Sequence, residues 1–132
     1  MNVPHASPVL LDHLRVAART YRPSLSEDGR WVLVQDFVLP AGYNVATTQV
    51  LMSIPPDYPV RAPGPLPHGI YLPTGLKSQG RTPRHIMEGQ GPGWGKWSWL
   101  CMYRIDWDSR RGDDLVRLLE LVRAILSLPA AP

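Results

Sequence analysis

Ile54-Pro55-Pro56-Asp57-Tyr58-Pro59-Val60-Arg61-Ala62-Pro63 is the stretch on which the fold turns. The residues leading into it, Asn44 to Ile54, are rich in Val, Thr and Ile, the composition of a strand. Proline has no N–H to give a β ladder, so the Pro55-Pro56 pair stops that strand. Each proline also fixes its own φ and restrains the residue before it, so the chain leaves the sheet in a set direction with little entropy left to lose. Tyr58 is the aromatic anchor, able to bury its ring while its hydroxyl finds a local partner. On physical grounds alone the string is a rigid, proline-rich corner.

Upstream, the run from Trp31 to Leu39 with its Val32/Val34 pair reads as another strand, and Pro40-Ala41-Gly42-Tyr43 supplies the turn, giving an antiparallel hairpin or meander. Earlier still, Ser7 as cap and Pro8 at the first helical position open an amphipathic helix over residues 8–20, on which Leu10, Leu11, Leu14, Ala17 and Ala18 recur at helical spacing. Its polar face of Asp12, His13, Arg15 and Arg19 reads as a solvated surface.

Downstream, Gly69 to Leu72 predicts one short strand. Residues 73–96 carry many breakers and no periodicity, and a structureless loop of that length inside a domain is a functional hint. Asp113 is then the expected cap of a helix from Asp114 to about Leu128, with Leu115, Leu118, Leu119, Val122, Ile125 and Leu126 on one apolar face and Pro129 at its end. The order predicts an α+β fold, with helices packed on one side of an antiparallel sheet.

The 132 residues, 44% of them hydrophobic, suffice for one core, so one domain over 1–132 is expected. A single cysteine forms no internal disulfide, and no secretory signal pattern opens the chain, so a cytoplasmic location is expected. Apolar runs are broken well short of the ~20 residues that span a bilayer, which sets membrane insertion aside. The net charge of +3 is spread along the chain, and the loose basic stretch of Lys77, Arg81 and Arg84 near Trp94, Trp97 and Trp99 reads as a solvated loop; no nucleic-acid partner is expected. His5, His13, His68 and His85 lack ligand spacing, so no metal is expected. Pro92 interrupts the Gly89–Gly95 run, which is therefore no phosphate loop; its glycines are expected to fold the loop back beside Cys101.

Pro55, Tyr58, Pro59 and Pro63 resemble the proline-tyrosine-proline turn that follows the sheet in ubiquitin-conjugating enzymes. Cys101, Trp107 and the leucine-rich helix stand in that family's order of catalytic cysteine, tryptophan and crossing helix, and Leu128-Pro129 resembles the helix end. The Trp31–Leu39 strand, the Leu39-Pro40-Ala41-Gly42-Tyr43-Asn44 turn and the Gly112-Asp113-Asp114-Leu115 helix start resemble a divergent bacterial branch of the superfamily. The resemblance implies an antiparallel meander flanked by an N-terminal and a long C-terminal helix, truncated after that helix. It also implies a role for Cys101 as acceptor of a ubiquitin-like protein from an activating enzyme, as a thioester passed on to an amine of a protein target. Such domains stand beside deubiquitinase-like proteins in operons whose relatives suggest antiphage defence. Arg15 and Arg19 would then meet the activating enzyme, and the loop from Gly75 to Lys96 would wall the site.

Exchange of one thioester for another loses little free energy and requires no nucleotide, metal or other cofactor. The thiolate is the nucleophile, a free cysteine titrates at about 8.5, and Arg104 is the nearest cation in sequence. No His-Pro-Asn string precedes Cys101, a departure from the common pattern, whose Asn assists transfer. His85, in the corresponding loop, and Gln90 are candidate oxyanion donors; Asp106 and Asp108 are candidates to orient the incoming amine. Against catalysis stands the ordinary role of a lone cysteine as a small buried hydrophobe. If residues 97–103 are extended, Trp97, Trp99, Cys101 and Tyr103 share one face. The second reading is therefore an inert variant of the fold, an adaptor that binds a ubiquitin-like protein or a partner enzyme. Exposure of Cys101 separates the two.

Overall fold

The computed structural model describes residues 6–102 and 105–129. Helix α1 spans Pro8–Ala17; Ser7 accepts the N–H of Leu10 on its Oγ at 3.1 Å, and Pro8 occupies the first turn. The helix is shorter than the expected 8–20 because residues 18–20 close it as a turn, with the N–H of Ala18 on the Leu14 carbonyl at 2.9 Å.

Strands β1 (Arg22–Leu25), β2 (Trp31–Val38), β3 (Thr47–Ser53), β4 (Ile70–Pro73), β5 (Ile86–Met87) and β6 (Trp97–Leu100) follow, then a 3-10 turn at Ser109–Arg111 and helix α2 (Leu115–Leu126). They form one six-stranded antiparallel sheet in the order β1-β2-β3-β4-β6-β5. The architecture is the expected α+β one. Inward residues Val32, Val34, Val50, Met52, Ile70, Leu72 and Leu100 form one core with Leu10 and Ala17 of α1 and Leu115, Leu118, Leu119, Val122 and Leu126 of α2. Each fully buried leucine of α2 contributes about 1.5–3 kcal/mol over its exposed state. The opposite face carries successive register partners Leu33, Leu51, Tyr71, Trp99 and Met87.

The proline corner works as an anchor. The Tyr58 ring is buried, its hydroxyl meets Nδ1 of His13 at 2.5 Å, and its ring lies 6.1 Å from that of Trp107. The indole N–H of Trp107 donates to the Pro59 carbonyl at 2.7 Å. The corner thus ties α1 to the segment after Cys101. Burial, then the Asp114 charge, raises the Tyr58 phenol above its ordinary range, so it remains a neutral partner.

Three expectations are corrected. The first is the cap of α2: Asp114 caps the helix, accepting the Arg117 N–H at 3.0 Å. Asp113 instead accepts the Asp108 N–H at 2.8 Å and Arg111 at 3.2 Å, which closes the 3-10 turn. The second is the loop at 73–96, which is not structureless. Asn44 donates to the Gly75 carbonyl at 3.0 Å and accepts the Lys77 N–H at 2.9 Å; Glu88 accepts the Gly75 N–H at 2.9 Å. Leu76 is buried, and Ile86-Met87 pair with β6. The third is the glycine run, which turns the β5–β6 hairpin at its far end. Trp97 begins β6 four residues before Cys101, about 13 Å away along the strand. Gly91 is required there because a Cβ would stand 2.8 Å from the Trp97 carbonyl oxygen.

Candidate active site

Cys101 lies one residue past β6. Burial alternates along the strand: Ser98, Leu100 and Met102 are buried on the helix side, whereas Trp97, Trp99 and Cys101 are half-buried on the other face. Those three share a face as the extended reading requires; Tyr103 lies outside the described residues. Cys101 is a free thiol of intermediate exposure, neither sealed nor fully open.

His85 is brought directly beside it. The pairing Ile86 with Leu100 continues by one step, and the Cys101 N–H donates to the His85 carbonyl at 2.8 Å. His85 is buried, and burial, then the Arg84 charge, lowers its imidazole below the ordinary value. The neutral ring is favoured, and a neutral imidazole keeps one N–H to donate.

The other candidates lie apart from this pair. Asp106 is exposed, with its carboxylate held by Arg111 at 2.8 Å. Asp108 caps the 3-10 turn and accepts the Arg110 N–H at 2.9 Å; this bond and the Arg110 side chain hold its carboxyl below the usual range. Gln90 sits in the far turn of the hairpin, its N–H on the Met87 carbonyl at 3.2 Å. Arg15 pairs with Asp12 at 3.0 Å on the exposed face of α1. Arg104 lies outside the described residues.

On the opposite flank of Cys101 stands Gly69. Ile70 pairs with Leu100, so one further step sets Gly69 against Cys101, and the Ser53 N–H donates to the Gly69 carbonyl at 3.0 Å. Tyr71 folds over this glycine: a Cβ on Gly69 would stand 2.7 Å from the Tyr71 hydroxyl and 3.1 Å from Cδ1 of Trp99. The Tyr71 ring leans on Trp31, centroids 6.3 Å apart. Beyond Trp31 opens a cleft of about 840 Å³ lined by Arg30, Trp31, Ser53, Pro55, Pro67 and His68. Sequence reasoning missed Tyr71 and Gly69. Their only signal was a glycine two residues before a tyrosine in a short apolar run, a pattern without specificity.

Among the described residues no group of three or more His, Cys, Asp or Glu side chains could hold a metal, and no helix is long and apolar enough to cross a membrane.

The sheet, the proline corner, the cysteine past the last central strand and the leucine-rich helix define a domain of the ubiquitin-conjugating-enzyme type. The model of prokaryotic E2 family E matches residues 10–128, and the chain belongs to that family. Neither the curated proteins nor the solved structures gave a match. Family membership carries a ubiquitin-conjugating-like role and, in general, dealings with a ubiquitin-like protein and its activating enzyme.

Proposed function

We propose that the protein is a thioester carrier: Cys101 accepts the C-terminal carbonyl of a ubiquitin-like protein from an activating enzyme and gives it to an amine of a protein target. The observation that carries this reading is that Cys101 is a free cysteine of intermediate exposure, not sealed in the core, with its backbone N–H paired to the His85 carbonyl. A purely structural cysteine has no need of solvent. In the first step the Cys101 thiolate forms a bond to the carbonyl carbon and the activating enzyme's sulfur leaves. In the second an amine forms the C–N bond, Cys101 sulfur leaves, and the amine's proton passes to solvent or a nearby base. Both steps pass through an oxyanion. His85, whose carbonyl holds the Cys101 N–H, is the candidate oxyanion donor, and Asp106, five residues on, is the candidate to orient the incoming amine once released from Arg111. A deubiquitinase-like protein of the same operon would reverse the product, and a cytoplasmic setting keeps the thiol reduced.

Mass spectrometry of the protein with its ubiquitin-like partner, activating enzyme and ATP tests this. A reductant-sensitive adduct that Cys101→Ala lacks is expected. Absence of any adduct, with the activating enzyme itself charged, overturns the reading in favour of the inert adaptor.

A further inference from the structure

The two transfer steps proposed for Cys101 pass through an oxyanion, and two hydrogen-bond donors, the Tyr71 hydroxyl and the Trp99 indole N–H, stand on the same sheet face as Cys101. Tyr71 is 7% exposed, and its hydroxyl has no hydrogen-bond partner among the described residues. The indole Nε1 of Trp99 is buried and also unpartnered among the described residues. An unsatisfied buried donor is rare enough to require an explanation. Both groups converge on one spot. Cδ1 of Trp99, the carbon bonded to Nε1, and the Tyr71 hydroxyl flank the volume that a Cβ on Gly69 would fill, 3.1 and 2.7 Å from it. Gly69 precedes Ile70, whose register partner Leu100 precedes Cys101, so extending the antiparallel register by one step opposes Gly69 to Cys101. Directly opposed residues of antiparallel strands lie about 4.5–5.5 Å apart, so the Tyr71 hydroxyl, folded closely over Gly69, stands within reach of the carbonyl of an acyl group on Cys101.

We infer that Tyr71 is a catalytic residue whose hydroxyl donates to the oxyanion formed on the Cys101 thioester, with the Trp99 N–H as second donor behind it. This inference rests on the thioester reading. The hydroxyl stabilises negative charge on the carbonyl oxygen and keeps its proton, so the bonds made and broken are those of the two transfer steps. Gly69 is glycine because a Cβ there would collide with the Tyr71 hydroxyl, 2.7 Å away. Trp31 packs on the Tyr71 ring and fixes its direction. The Trp99 nitrogen is covered, so the acyl oxygen meets the Tyr71 hydroxyl first, and Tyr71 carries the test.

The experiment loads Cys101 with the mercaptoethanesulfonate thioester of N-acetylglycylglycine, removes excess reagent, and follows discharge to free lysine by mass spectrometry. It compares wild type with Tyr71→Phe, which removes only the hydroxyl, and with Gly69→Ala, which crowds it. Tyr71→Phe is expected to load to the wild-type end point and unfold at the wild-type temperature, whereas Gly69→Ala is expected to unfold at a lower temperature, because its Cβ must displace the Tyr71 hydroxyl 2.7 Å away, and to slow discharge as well. Discharge is expected to slow about 100-fold in Tyr71→Phe, the scale of one lost oxyanion donor. Discharge of Tyr71→Phe within twofold of wild type overturns the role of Tyr71 and leaves the thioester reading standing. Failure of wild type to load overturns both.

Discussion

His85 shows how one side chain reports on its surroundings. The residue is buried, its carbonyl accepts the Cys101 N–H, and burial, then Arg84, lowers the imidazole pKa from 6.5. As pH falls, the unfolded imidazole takes up its proton before the folded one, so the unfolded state gains. Stability is therefore full above about 6.5 and declines as pH drops below it. Urea midpoints at pH 7.5 and 5.5 should differ, and His85→Gln should reduce that difference; an unchanged difference removes His85 as its source. The depressed carboxyls of Asp108 and Asp113, held by backbone N–H groups, act in a separate window below 3.8. At this scale the sequence singled out Cys101 and His85 through their chemistry and order, and the structure pairs their backbones. Nothing in the sequence pointed to Tyr71, whose place beside Trp99 depends on the β4–β6 register.

At the scale of elements, α2 depends on its first turn. Asp114 accepts the Arg117 N–H, and Asp114→Ala should cost about 1 kcal/mol in denaturant unfolding. Asp113→Ala should loosen the 3-10 turn while leaving helix content by circular dichroism unchanged; equal loss of helicity in both variants contradicts the assignment. Sequence alone placed the cap one residue early, since adjacent aspartates at a helix start are equivalent until backbone geometry selects one. The edge strand β1 was illegible for another reason: Arg22-Pro23-Ser24-Leu25 is short and contains a proline, which only an edge position tolerates. The segment at 73–96 read as formless because its order comes from outside it. Asn44, in the turn between β2 and β3, supplies two of its hydrogen bonds. Asn44→Ala should therefore destabilise by about 1–2 kcal/mol and raise proteolysis near Lys77, two bonds at roughly 1 kcal/mol each. Unchanged cleavage there would show that the loop holds itself.

For the whole molecule, the proline corner, Cys101, Trp107 and α2 were legible as an ordered series before any coordinates, and the structure makes that series a packed unit. Tyr58 touches His13 and Trp107, Trp107 bonds back to Pro59, and α2 closes the core beneath. Helices on one face leave the cysteine on the other, at the end of the sheet where Trp31, Tyr71 and the cleft beyond them gather. This placement favours a carrier over a sealed adaptor. The most direct test is Cys101→Ser, incubated with the ubiquitin-like protein, its activating enzyme and ATP. Serine would hold the same carbonyl as an oxyester, so a wild-type adduct lost to reductant should become in the variant an adduct that resists reductant and yields to mild alkali. An adduct that resists reductant in both proteins, or forms equally in Cys101→Ala, would contradict a thioester on Cys101.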